Sequence, residues 1–214
     1  MAGPKTDRRQ QHGEISRQRI LDATVEIAAE RGYEGTSISL VSKRSGLPAS
    51  SIYWHFKDKD HLLAAVMERS YQLWQARLSQ AWEAPEPGAD RAEALSAMSR
   101  AISTSLLEQP EFLRLGMMLT LERRPVEAKA RELFTRIRAE VHGLAVTEFE
   151  RVLADVPEER RTDLARRLAT FTLAASDGLF LAYHLDPDGF DLVAEFEMLS
   201  VTVDAALGRW IPKA

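Results

Sequence analysis

Residues 37–56, SISLVSKRSGLPASSIYWHF, set a Gly-Leu-Pro turn between two short runs of helix-phased apolar residues. Gly46 can supply the left-handed backbone position that stops a helix, and Pro48 has the fixed φ that suits the start of the next. Ser37 is placed to cap the first run, in which Ile38 and Val41 face inward; Ala49 to Phe56 reads as the second, with Ile52 and Phe56 inward. Helices this short cannot bury an apolar face alone. Val41, Leu47, Ile52 and Phe56 must therefore share one small core across a steep crossing, which leaves the first turn of the second helix protruding.

The same helical period runs through the rest of the chain. Between Ile15 and Arg31, residues Ile20, Leu21, Thr24, Ile27 and Ala28 mark one face of a helix that Gly32 ends, and a polar arm, KTDRRQQHGEISRQR, precedes it. A long amphipathic helix is predicted from Asp58 to Trp82, stopped by the loop EAPEPGAD. Further helices are expected over Arg91 to Glu108, Pro110 to Arg123, Pro125 to Ala154, Pro157 to Leu185 and Leu192 to Trp210. No segment alternates with period two over a useful length, and no internal repeat is visible. The fold class read from this is all-α, with a helix-turn-helix domain over 1–63, arm included, and a second helical domain over 64–214.

With 45% apolar and 28% charged residues over 214 positions, the chain can bury one or two real cores. It has no cysteine, which excludes disulfides and thiolate metal sites. Its five histidines, at 12, 55, 61, 142 and 184, show no HxxxH spacing, and neither a Gly-rich phosphate loop nor a nucleophile elbow occurs. No metal, no cofactor and no enzymatic activity are therefore expected. A polar start and the lack of any apolar run of about 18 residues point to a chain without a membrane span, with the cytoplasm as its address.

Charge is uneven. Residues 1–63 carry ten Lys or Arg against eight Asp or Glu, a net of plus 2, and the remainder carries minus 6. The protruding turn bears Ala49, Ser50 and Ser51, small enough to let a helix sit deep in a major groove, where hydroxyls meet base edges and a methyl meets thymine. Tyr53, Trp54 and His55 follow, with reach to sugar and phosphate, and Lys57 and Lys59 can neutralise phosphate. Such helix pairs also occur in proteins that never meet DNA, with the aromatics as core. The polar free face argues for the duplex.

Residues 19–70, RILDATVEIAAERGYEGTSISLVSKRSGLPASSIYWHFKDKDHLLAAVMERS, resemble the DNA-binding domain of TetR/AcrR-type transcriptional regulators. Gly32-Tyr33, Thr36-Ser37, Gly46, Ile52-Tyr53, His55-Phe56, Lys59 and Leu62-Leu63 stand at that family's spacing, while Ser42, Leu40 and Trp54 depart from its usual residues. The resemblance implies that Thr36, Tyr53, His55 and Lys59 hold phosphates, with Ser37, Ser39 and Lys43 also at the duplex, and that Ala49, Ser50, Ser51 and Trp54 read sequence. It further implies a double-stranded operator and a homodimer, whose reading helices sit about 34 to 36 Å apart on successive grooves.

Two C-terminal helices are candidates for that assembly. Ala174, Gly178 and Ala182 recur every fourth residue, and Phe196, Leu199, Val203 and Leu207 form a stripe that suits burial against the chain's own core or a second subunit. The resemblance makes this pair the homodimer interface. A small-molecule effector is implied as well, with Trp74, Trp82, Phe112, Met117, Met118, Leu121, Phe134 and Phe171 as candidate lining and His142 and Asp177 as polar anchors. The favoured expectation is a homodimeric repressor released by a small hydrophobic ligand. The alternative is a DNA-binding or architectural co-regulator that needs no ligand.

Overall fold

The computed structural model describes residues 4–81, 90–121, 129–154 and 156–210, with side chains over 11–81, 90–121, 129–154 and 156–208. Among these residues the secondary structure is wholly helical, as the periodicity predicts: α1 (Pro4–Gly35), α2 (Ile38–Ser45), α3 (Ala49–His55), α4 (Lys59–Ala81), α5 (Arg91–Glu108), α6 (Glu111–Leu121), α7 (Lys129–Val152), α8 (Glu158–Leu185) and α9 (Leu192–Trp210). The EAPEPGAD loop falls outside the described residues except for Asp90, whose carbonyl accepts from the Ala94 amide at 3.0 Å to open α5.

The expected arm is helix instead. α1 starts at Pro4, because Arg, Gln and Glu are good helix formers and proline suits a first helical position. Gly32 does end the long run: its φ of 70° takes the chain out of helical geometry, and only one further turn, to Gly35, follows.

The chain forms two compact units. One holds residues 1–73 and 110–135, the other 74–109 and 136–214, so α4 and α7 each contribute to both. In the first, α1 contributes Ile20, Leu21 and Ile27, α2 Val41, α3 Ile52 and α4 Leu62, Leu63, Val66 and Met67, each no more than 2% exposed. Burial of each such side chain stabilises by about 1.5–3 kcal/mol. α6 packs on α1, and the Met118 methyl rests 3.0 Å from where a Cβ at Gly32 would sit.

The second unit has its own core, in which Leu95 of α5, Phe149 of α7 and Leu153 just past its end, Ala165, Leu168 and Ala169 of α8, and Leu199, Val203 and Leu207 of α9 converge. Arg161 closes the α7–α8 corner by donating to the carbonyls of Ala154 and Val156, in the connection between the two helices, at 2.9–3.0 Å.

Candidate nucleic-acid interface

The α2–α3 module is built by local rules. Ser37, extended at φ −132° and ψ 153°, accepts the Leu40 amide on its hydroxyl at 3.2 Å and opens α2. Gly46 closes it at φ 67°. Across the turn, Ser42 donates its hydroxyl to the Leu47 carbonyl at 2.7 Å, and the Pro48 carbonyl accepts the Ser51 amide at 2.9 Å to start α3. Val41, Ile52 and Phe56 are buried and Leu47 half-buried, which is the shared core the spacing demands.

Two arginines fasten this module to α1. Arg19 donates to the Ser45 carbonyl at 2.7 Å, at the end of α2, and Arg44 bridges Glu26 at 2.8 Å and Glu30 at 3.1 Å. Arg44 pulls the Glu30 carboxyl below its ordinary range, through hydrogen bonding first and charge second. Sequence reasoning misses these grips, since a surface arginine on a polar face carries no sign of which carboxylate it will meet.

What the module leaves outside is specific. Ala49 and Ser50 are exposed, Ser51 is half-exposed, and Ser39, Lys43 and Lys57 stand in solvent on the same segment. Tyr53 is 56% exposed and Trp54 76%, far beyond what core aromatics show. Trp54 lies along α1, its ring 3.6 Å from where a Cβ at Gly13 would be, and meets His55 edge-on with centroids 4.5 Å apart. Burial holds the His55 imidazole below the ordinary histidine value; Arg17 acts in the same direction and Glu14 opposes it. His55 itself is half-buried.

Residues 20–66 match the family described as bacterial regulatory proteins, tetR family. The N-terminal domain of this chain is thus similar to that of TetR/AcrR-type regulators. Its sequence is 37% identical over 60 residues to the HTH-type transcriptional regulator AcrR of Shigella flexneri, a match covering 28% of this chain and 28% of that protein, well short of two thirds of its length. A longer match, 25% identical over 201 residues, joins 92% of this chain to 95% of the HTH-type transcriptional regulator BetI of Paraburkholderia phymatum. In fold, the chain is similar to a transcriptional regulator from Rhodococcus sp. Rha1, with a TM-score of 0.65, 24% identity, and 87% and 94% of the two chains covered.

Not every candidate of the TetR-type module faces outward. Thr36 is buried, its hydroxyl donating to the Gly32 carbonyl at 2.7 Å. Lys59 donates to the Tyr33 carbonyl at 3.3 Å, lies 3.5 Å from Glu34, and stacks 4.6 Å above the Tyr33 ring. Both serve the corner between α1, α2 and α4.

The ligand candidates fall in both units. In the first, Phe112 meets the Tyr71 and Phe134 rings at 5.2 and 5.3 Å, and Phe134 lies so close over Gly116 that a Cβ there would enter its ring. Met117 is half-buried. Met118 is 38% exposed and lines a shallow crevice with Val25, Ala29 and Arg114, whereas Leu121 is 84% exposed. In the second unit, Trp74 is buried and Phe171 is 55% exposed. There α7 and α8 share a polar seam: His142 meets the Thr170 hydroxyl at 3.0 Å and Arg138 donates to Asp177 at 2.7 Å. Burial raises the Asp177 carboxyl above its ordinary value, against the pull of Arg138. Trp82 lies outside the described residues.

The assembly candidates divide in the same way. Phe196, Leu199, Val203 and Leu207 are buried in their own unit, because α5, α7 and α8 close over that side of α9. Ala174 and Gly178 are exposed and Ala182 half-buried, and nothing lies within 4 Å of a Cβ placed at Gly178. The large exposed apolar side chains nearby are Phe171, which the sequence reading names only as ligand lining, and four it leaves unnamed: Leu181 and Leu185 on α8, and Met198 and Val201 on α9. With Ala174 and Gly178 they recur at steps of three and four along α8, and Met198 and Val201 are three apart on α9. A second, outward stripe was there to find, but two apolar stripes on one helix do not say which goes inside.

Proposed function

We propose that this chain is a homodimeric, ligand-responsive repressor that grips a pseudo-palindromic operator with the exposed face of α3. The observation that carries the reading is the contrast within one seven-residue helix: Ile52 is fully buried while Tyr53 and Trp54 beside it stand 56% and 76% exposed, on the side that also bears Ala49 and Ser50. Ala49, Ser50, Ser51 and Trp54 read bases; Tyr53, His55, Ser39 and Lys43 meet the backbone; Ser37, Thr36 and Lys59 set the module's shape from beneath. The outward apolar stripes of α8 and α9 pair with those of a second copy, since contiguous exposed apolar surface of this kind marks an association face. Reading belongs to residues 1–63 and regulation to 64–214, and DNA binding places the protein with the chromosome, in the cytoplasm.

Selection from random duplex DNA tests this reading. It should enrich an inverted repeat, bound by two chains per duplex with affinity that falls as salt rises. Failure to enrich any sequence would refute it. A second reading, a co-regulator without a ligand, is favoured by the tight seat of Phe134 on Gly116 and Phe112, where candidate lining residues pack on one another. A small molecule that loosens the operator complex decides for the first.

A further inference from the structure

Asp60 is the second residue of α4 and is half-buried. Its carboxylate joins two pieces of chain far apart in sequence. Oδ1 accepts the Tyr33 hydroxyl at 2.9 Å, and Oδ1 and Oδ2 accept the Lys129 amide at 3.2 and 3.0 Å. Lys129 is the first residue of α7, where amides have no partner within the helix and the helix dipole favours a negative charge. A cap normally comes from the preceding residue in the chain. Here it comes from 69 positions away, on another helix.

The other side of this carboxylate leads to the reading module. Tyr33 is buried just beyond the Gly32 break, and its carbonyl accepts both the Lys59 ammonium at 3.3 Å and the Thr36 amide at 3.2 Å. Thr36 immediately precedes Ser37, the cap of α2. A bonded path thus runs from Lys129 through Asp60 and Tyr33 to the seat of α2. Further along α7, Phe134 packs on Gly116 and Phe112 of α6, and Phe112 on Tyr71 of α4. Beyond residue 135 the same helix continues into the other unit and ends at Val152.

We propose that Asp60 is a coupling residue, which makes the first turn of α7 and the α1–α2 corner one cooperative piece. Displacement of α7 then loosens the seat of the reading module. The regulatory meaning rests on α3 being the DNA interface; the coupling itself does not.

Hydrogen exchange on the full-length protein without DNA tests the coupling. Loss of a charged hydrogen-bond acceptor in Asp60→Ala should speed exchange about tenfold both in residues 129–135 and in residues 33–41. The α5 and α9 core should be unmoved, and so should every region in Asp22→Ala, which removes the separate Asp22–Arg69 pair at 2.7 Å. Tyr33→Phe is the sharper variant and keeps the fold: it removes one hydroxyl that does not touch α7, yet should speed exchange at 129–135. Unchanged α7 exchange in Tyr33→Phe, or an effect of Asp60→Ala confined to one of the two windows, overturns the proposal. With a selected duplex, wild type should gain protection at 129–135 as well as at 37–56, and Asp60→Ala only at 37–56. Absence of any duplex binding refutes the DNA reading, while the DNA-free exchange still decides the coupling.

Discussion

α3 and α9 both bury one face and leave large side chains exposed on another, Tyr53 and Trp54 in α3 and Met198 and Val201 in α9, and they differ in what accompanies those side chains. In α3 the outward residues are small, polar or amphipathic and only Ile52 of its seven is buried. In α9 one apolar stripe is buried in the core and another, Met198 and Val201, stands 61% and 63% exposed. An exposed polar tip suits a hydrated, charged partner such as a duplex groove; an exposed apolar stripe suits a surface of its own kind. On the reading proposed above, the difference gives DNA reading to the first helix and assembly to the second.

The two stripes of α9 should separate most widely under mutation. Phe196→Ala removes a side chain 1% exposed and should cost about 3–5 kcal/mol of unfolding free energy in urea. Val201→Arg, on the opposite side, should change monomer stability by less than about 0.5 kcal/mol while light scattering reports half the wild-type mass. A stable, fully dimeric Val201→Arg protein would erase the distinction between the stripes.

Gly116→Ala comes next. The new methyl must displace Phe134, an overpacking that should cost about 1–3 kcal/mol in thermal or urea unfolding. Gly178→Ala, with open space around its Cβ, should instead gain up to about 1 kcal/mol from helix propensity in the monomer. Equal effects at the two sites would show that neighbours, read from packing, do not set the outcome.

On α3, Trp54→Ala should leave stability within about 0.5 kcal/mol of wild type, because the ring is 76% exposed, and weaken duplex binding measurably in a titration. Ser51→Ala should shift preference among sites with little change in overall affinity. Affinity loss without any change in preference would move these residues from base reading to the backbone.

The smallest effect is in pH. Burial depresses the His55 value in the folded chain, so over the window just below the ordinary histidine value the unfolded chain binds more protons, and stability rises as pH rises through it. His55→Gln should flatten that slope between about pH 5.5 and 6.5 in chemical unfolding. An opposite slope would mean that the ring is charged in the fold.

How much of this was legible depends on whether a residue acts on its neighbours or on distant chain. Ser37, Gly46 and Pro48 shape the backbone beside them, so the turn and its small core could be read directly. The helical extension of α1 was not legible, since RRQQHGE has neither a cap nor an apolar face to announce a helix. Asp60, Arg19 and Arg44 were invisible because their partners are 14 to 69 residues away and any polar position would have looked the same. α9 was half legible. Its stripe at Phe196, Leu199, Val203 and Leu207 is real, but periodicity marks apolar faces without naming the surface that covers them.

Sedimentation of the full chain with its selected duplex, repeated across a salt series, tests the joint assignment of α3 and α9 most directly. Two chains should ride on each duplex, with binding that weakens steeply as salt increases, and Val201→Arg should lose most of that binding while remaining folded. One chain per duplex, or binding indifferent to salt and sequence, would contradict it.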